Sequence, residues 1–433
     1  MRRWRILCAV TSFVAAGLLA GCGAAQPPIS GAGSMARAFA RPARTTSGNY
    51  QVIYNFGSVP GDGHFPYAGL IAVGGTLYGT TINGGSKSTC GAYPSECGTV
   101  FSIEPGAPDK VLHTFGAEGD GNNPQAGLID VNGTLYGTTT NGGSYTRAPR
   151  CTGSDYFPCG TLFSITPSGT EAVLHSFGDG RDGLNPTASL IDVNGTLYGT
   201  TANGGKGHKC NGGCGTVFSI TPSGTYKVLH NFGAAPDGAT PAASLIEVKG
   251  KLYGTTYGGG AYRLGTVFSI TLGGREKVLH SFGSGTDGFD PSAALVDLHG
   301  TLYGTTDAGG SSNCNHLDSC GTVFSMTLSG NETVVHRFVG ADGAAPVAPL
   351  IAVKGTLYGT TQYGGAYSCD TGGSCGTVFS ITPSGKESVL HSFGSAGDGI
   401  HPVAALTNMD GTLYGTTTGG GTSKDGTVFA LTP

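Results

Sequence analysis

The chain has 433 residues, a formal charge of −4 and only 12% charged side chains. Without the first 22 residues, which hold three arginines and no acid, the charge becomes −7, so the basic patch that nucleic acid demands is missing. Glycine is abundant (79 residues) and recurs in register with apolar runs, a composition of turns and short strands rather than helices.

Arg2, Arg3 and Arg5 precede an apolar run from Ile6 to Ala20. That run is too short to span a bilayer and has the length of a secretory signal. It ends Leu19-Ala20-Gly21-Cys22, which resembles a bacterial lipobox; the likeness implies cleavage before Cys22 and lipidation of Cys22. Ordinary cleavage a few residues later, without lipid, is the alternative. Residues 23–48 are rich in Ala, Pro, Gly and Arg, lack apolar periodicity and read as a flexible tether. These features predict an extracytoplasmic protein of the bacterial cell envelope or surface, touching membrane only through its lipid, or otherwise secreted.

From residue 49 to 433 the chain repeats. The pentapeptide LYGTT starts at Leu77, Leu135, Leu197, Leu252, Leu302, Leu357 and Leu413. Spacings of this size mean a repeat architecture. One unit reads as four short strands: Ala188 to Val193, Thr196 to Thr201, Gly215 to Thr221 and Lys227 to Phe232. Asn194-Gly195 and Pro222-Ser223-Gly224 supply tight turns between them. Apolar and aromatic residues on both parities mean that both faces of each sheet are covered, which seven sheets arranged radially achieve. The ordered part starts with an unpaired outermost-type strand (Tyr50 to Phe56) and ends with a third-type strand lacking its fourth. The expected fold is therefore all-β, a seven-bladed β-propeller of four-stranded antiparallel blades. Its N-terminal outermost strand closes the C-terminal blade and removes free edges.

The motifs LYGTT-x-x-GG, GTVFSI and VLHSFG resemble those of GloVer-type tandem repeats of exported, surface-anchored bacterial proteins. The resemblance implies an extracytoplasmic repeat protein and carries no established activity. A weaker likeness to kelch repeats rests on the double glycine after the second strand. Kelch units also carry a tryptophan, and the only one here is Trp4, so kelch is at most an architectural cousin.

Ten cysteines form five local pairs in the loops between LYGTT and GTVF: Cys90/Cys97, Cys151/Cys159, Cys210/Cys214, Cys314/Cys320 and Cys369/Cys375. The loops of blades four and seven, the shortest, are the two without cysteine, as expected if disulfides limit loop entropy. No Cys-x-x-Cys occurs, so no metal is expected at these thiols. These variable loops share a face with the crossovers between blades, and the opposite face has only tight turns. Binding is expected on the loops, through Tyr93, Tyr145, Arg147, Tyr156, His208, Tyr257, Tyr262, Arg263, His316, Tyr363 and Tyr367. The expected partner is a glycan or an extracellular or envelope protein, and the chain is expected to be monomeric.

Histidine recurs in six outer strands, with Tyr54 in the remaining copy, and is expected to be structural, hydrogen-bonded between blades. Seven Asp-Gly pairs recur in the crossovers and read as turn devices. A calcium site on that carboxylate ring is the alternative, and no other cofactor is expected. The enzymatic alternative, an exported polysaccharide hydrolase or lyase, would use the unrepeated His64 and His401, which lie on adjoining crossovers.

Overall fold

The computed structural model describes residues 49–86, 97–105, 109–144, 159–179, 182–207, 210, 212–233, 235–284, 287–310, 320–369 and 374–433. Among them, seven four-stranded antiparallel sheets form a seven-bladed β-propeller. Blade 3 is typical. Its inner strand Ile191–Val193 pairs with Thr196–Thr201, which pairs with Thr216–Ile220, which pairs with the outer strand Tyr226–Asn231. Blades are numbered here from the one whose inner strand is Ile71–Val73. Blade 7 consists of Thr407–Met409, Thr412–Thr417 and Thr427–Thr432, with Asn49–Asn55 as its outer strand. The pairing Tyr50↔Leu431 and Asn55↔Thr427 closes the ring with strands from both ends of the repeat region.

Each residue of LYGTT has a separate packing task. The leucine is fully buried in all seven copies, in a core shared with the preceding blade. The glycine lies under the phenylalanine of the third strand: a Cβ on Gly304 would stand 2.5 Å from Phe324 Cζ and 2.8 Å from Leu295 Cδ2. The first threonine donates to a carbonyl at the start of the next blade, as Thr80 Oγ1 does to Ala126 O at 3.1 Å. Thr416 donates to Ala68 O at 3.1 Å and so carries this ladder across the closure. The second threonine meets the first threonine of the third strand at 2.8 Å, as in Thr139–Thr161.

Aromatic rings complete the joints. The phenylalanine ending each outer strand meets the next blade's third-strand phenylalanine edge to face, with centroids 5.1 Å apart for Phe115–Phe163 and 5.2 Å for Phe282–Phe324. Such pairs add about 0.5–1.5 kcal/mol to the burial of their area. The core is thus seven separate clusters, each spanning two blades, and the one joining blades 7 and 1 contains Phe56, Tyr414, Leu70 and Phe101.

Two features depart from the sequence reading. The inner strands are only three residues long; Ala188 to Leu190 precede Ile191–Val193 without ladder pairing, at the crowded axis. Each crossover also forms a short extra ribbon on the loop face, such as Gly183–Leu184 with Asn203–Gly204. The double glycine makes this approach possible: Gly204 has φ +78, and a Cβ there would lie 2.6 Å from Leu184 N.

Candidate functional site

The repeated histidines and aspartates pair with each other. His113, His175, His230, His280, His336 and His391 meet Asp120, Asp182, Asp237, Asp287, Asp342 and Asp398 at 2.8–3.2 Å, and Tyr54 donates to Asp62 in the remaining copy. Each histidine reaches the crossover that directly follows its own strand, which corrects the expectation of a bond between blades. The aspartates also accept backbone N–H groups, as Asp120 does from Gly116 and Gly121, so they fasten the turn. Each carboxylate stands against its own outer strand, bonded to the histidine or tyrosine there.

The residues nearest the axis on the loop face belong to other columns. In each repeat the residue before the crossover proline has left-handed backbone geometry: Phe65, Asn123, Asn185, Thr240, Asp290, Ala345 and His401, with φ between 53 and 58°. Bulky and β-branched residues avoid this region, and a residue before proline is normally extended, so the conformation is imposed by its surroundings. Two backbone bonds impose it. Asp290 N–H donates to Leu264 O at 3.0 Å, and Asp290 O accepts from Asp307 N–H at 3.1 Å. Strain held in this way is a pointer to a functional surface.

Around this rim the sevenfold repeat breaks into two sectors. On blades 1–3, amides satisfy one another. Asn141 Nδ2 donates to Asn123 Oδ1 at 2.8 Å, Asn123 Nδ2 to Ile82 O at 3.1 Å, Asn203 Nδ2 to Asn185 Oδ1 at 3.2 Å and Asn185 Nδ2 to Thr140 O at 3.1 Å. The other sector holds Tyr67, Tyr257, Asp290, Asp307, Tyr363 and His401. The Tyr257 hydroxyl is near enough to Asp290 to act on its carboxyl, and Tyr363 meets the His401 ring edge-on with centroids 5.3 Å apart. Tyr67, on the crossover into blade 1, is close enough to Asp307 of blade 5 and Tyr363 of blade 6 to feel both. Groups two and three blades apart act on each other in this way only across the axis, in keeping with a position at the channel mouth.

Burial governs the charges there. It raises Asp307 above the usual carboxylate range, reinforced by Asp290, and it raises Asp290 too, opposed by the Tyr257 hydrogen bond. Burial and the neighbouring carboxylates raise Tyr67 and Tyr257 as well. Burial lowers His401, against a backbone hydrogen bond at Ser374. Its Nε2 is buried and has no hydrogen-bond partner among the described residues. The sector thus offers aromatic faces (Tyr67 is 44% and Tyr257 43% exposed), two acids that hold protons readily, and a neutral imidazole.

Of the expected binding residues, Tyr257 and Tyr363 lie in this sector. Tyr262 and Tyr367 lie beside Gly283 and Gly394, just after the outer strands, and so face outward from the rim. Arg263 is exposed in the blade 4 loop with φ 64°. Tyr93, Tyr145, Arg147, Tyr156, His208 and His316 lie outside the described residues, as do Cys22, Cys90, Cys151 and Cys314. His64 stands against Phe65 at 6.3 Å, while His401 meets Tyr363. His64 belongs to the column of Ile400, and His401 to that of Phe65. Disulfides join Cys210–Cys214 and Cys369–Cys375, and Cys97, Cys159 and Cys320 are also disulfide-bonded. Bonds of this kind fit an oxidising compartment. No described helix is long and apolar enough to cross a membrane.

Sequence reading missed Tyr67, Asp290 and Asp307. Aligning the residue before each crossover proline and the residue after each LYGTT would have found the two aspartates, because no other copy has an acid at either position.

Fold and rim together define a closed repeat propeller with one differentiated sector at the mouth of its channel. The chain belongs to the Gloeobacter/Verrucomicrobia repeat family, whose model matches residues 42–205, 89–317, 151–371 and 314–433. No curated protein matches it. Among solved structures it is similar to a gluconolactonase from Xanthomonas campestris, at 12% identity and TM-score 0.38, covering 63% of this chain and 79% of that one. It is also similar to a puromycin-hydrolyzing peptidase from Mycobacterium tuberculosis, at 12% identity and TM-score 0.49, covering 81% of this chain and 49% of that one. A functionally unknown protein from Desulfotomaculum acetoxidans matches at 12% identity and TM-score 0.43, covering 75% and 84%. Likeness at this level says nothing of activity.

Proposed function

We propose that the protein is an exported, envelope-anchored binding protein that takes a glycan at the mouth of its channel. The observation that carries this reading is the break in the repeat: Tyr257 lies within electrostatic reach of Asp290 and Asp307, and Tyr67 within reach of Asp307 and Tyr363, where blades 1–3 carry amides bonded to one another. Tyrosine faces stack on sugar rings, and paired acids hydrogen-bond hydroxyls in either protonation state. The variable loops outside the mouth extend the contact surface, and a protein partner bearing glycans fits the same face. The lipobox-like sequence supports anchoring at Cys22.

One observation favours a second reading, an exported hydrolase or lyase acting on polysaccharide. The His401 Nε2 is buried, without a hydrogen-bond partner and next to Tyr363, as a base awaiting a substrate proton would be. Incubating the mature protein with a panel of envelope and plant polysaccharides separates the two. Retention without new reducing ends or unsaturated products is the expected result. Turnover that disappears in His401→Ala would replace binding by catalysis, and the absence of retention on every polymer would exclude a glycan ligand from the panel.

A further inference from the structure

The joints between blades carry a second constellation, far from the channel mouth. At the start of each outer strand a side chain from one blade covers the histidine–aspartate pair of the blade before it. Three of these joints assemble an imidazole and two carboxylates: His113/Asp120/Glu171, His230/Asp237/Glu276 and His336/Asp342/Glu387. In each group one ligand atom from every residue lies within 4.8 Å of the others.

We propose that these three joints bind divalent metal ions of the zinc or manganese type, each clasping two neighbouring blades at the rim. Several observations support this. The imidazole and first carboxylate are 3.0–3.2 Å apart, about the separation of two ligands on one ion with bonds of ~2.1 Å. The third ligand is not committed elsewhere in two of the groups: Glu276 Oε1 and Glu387 Oε1 are buried and have no hydrogen-bond partner among the described residues. An oxygen withdrawn from water and left unbonded is costly, and a cation satisfies it. One nitrogen and two oxygens suit zinc or manganese better than calcium, which gathers six to eight oxygens. The histidine side chains are 17–21% exposed, so water can complete the coordination shell.

Two neighbouring joints show what the alternative looks like. Tyr226 stacks on His175 with centroids 4.0 Å apart, and Tyr50 stacks on His391 at 3.6 Å. There a flat ring covers the imidazole and its aspartate partner, in the place where the three groups have a second carboxylate. The same place in the repeat thus carries an aromatic lid or a carboxylate, and among the described residues the carboxylate comes within ligand distance of both partners in three joints, while Glu332 faces Asp287 at the joint of blades 4 and 5 outside that distance. At the joint of blades 7 and 1 the imidazole itself is missing, since Tyr54 takes its place beside Asp62.

Stoichiometry tests the proposal. The mature protein, stripped with chelator and dialysed against Zn²⁺ or Mn²⁺ and then against metal-free buffer, is analysed by elemental mass spectrometry. Three ions per chain are expected, falling to two in Glu276→Gln and to none when Glu171→Gln and Glu387→Gln are added. The metal should also raise the thermal midpoint of the parent protein and leave that of the triple variant unmoved. A count that Glu276→Gln does not change, or a parent protein that retains no ion, would overturn the assignment. If Glu276→Gln fails to fold, Glu276→Tyr reproduces the joint at Tyr226 and carries the same expectation.

Discussion

At the residue scale, the repeated motif is a packing device. Gly304 exists because Phe324 occupies the space a Cβ would need, and the same holds for Gly137 under Phe163. Gly304→Ala is therefore expected to destabilise the ring by about 1–3 kcal/mol through overpacking, seen as a lower thermal midpoint. Phe324→Ala, which empties a fully buried position, should cost about 3–5 kcal/mol. Turn residues obey a different rule. Asn132, Asn194 and His299 occupy the first position of tight inner turns with φ 54–57°, so His299 is a turn residue.

At the element scale, the joints between blades couple stability to pH. Burial, reinforced by the facing aspartate, raises Glu276, Glu332 and Glu387 to about 7, opposed by His230, Arg337 and His336 respectively. Asp109 rises to about 6 by burial and Asp62, opposed by Tyr54. In the unfolded chain these groups titrate near 4.5 and 3.8. The folded state therefore binds more protons across that interval, and stability must fall as pH rises through the folded values. In the presence of chelator, the thermal midpoint should be higher at pH 5 than at pH 8. Glu276→Gln, Glu332→Gln and Glu387→Gln together should flatten that slope; an equally steep slope in the triple variant would show that other groups set it. The element scale also shows how far the sequence could be read. Strand number, turn positions and the disulfide pairs Cys210–Cys214 and Cys369–Cys375 follow from local spacing, because each is decided within a few residues. The histidine–aspartate bonds were less legible: both columns are visible in the sequence, but their bridging depends on how the crossover folds back beside the outer strand.

At the scale of the whole molecule, closure and the mouth matter most. Asn49–Asn55 completes blade 7, and Phe56 fills the last joint. Removing residues 49–56 should expose the edge of Thr427–Thr432 and produce dimers or larger species by size-exclusion chromatography, while the parent protein elutes as a monomer. A monomeric truncated protein of unchanged thermal midpoint would show that this strand does not close the ring. The mouth sector was the least legible part of the molecule, because Tyr67, Asp307 and Tyr363 come from three distant repeats and come within electrostatic reach of one another only in the closed ring. The most direct test of its role compares retention on a polysaccharide panel by the parent protein, by Tyr67→Ala with Tyr257→Ala, and by Asn141→Ala on the amide side of the rim. The expected result is at least one retained glycan, with affinity reduced about tenfold or more by the tyrosine pair and kept within about twofold by Asn141→Ala. Equal retention by all three proteins would contradict a binding site in the aromatic and acidic sector.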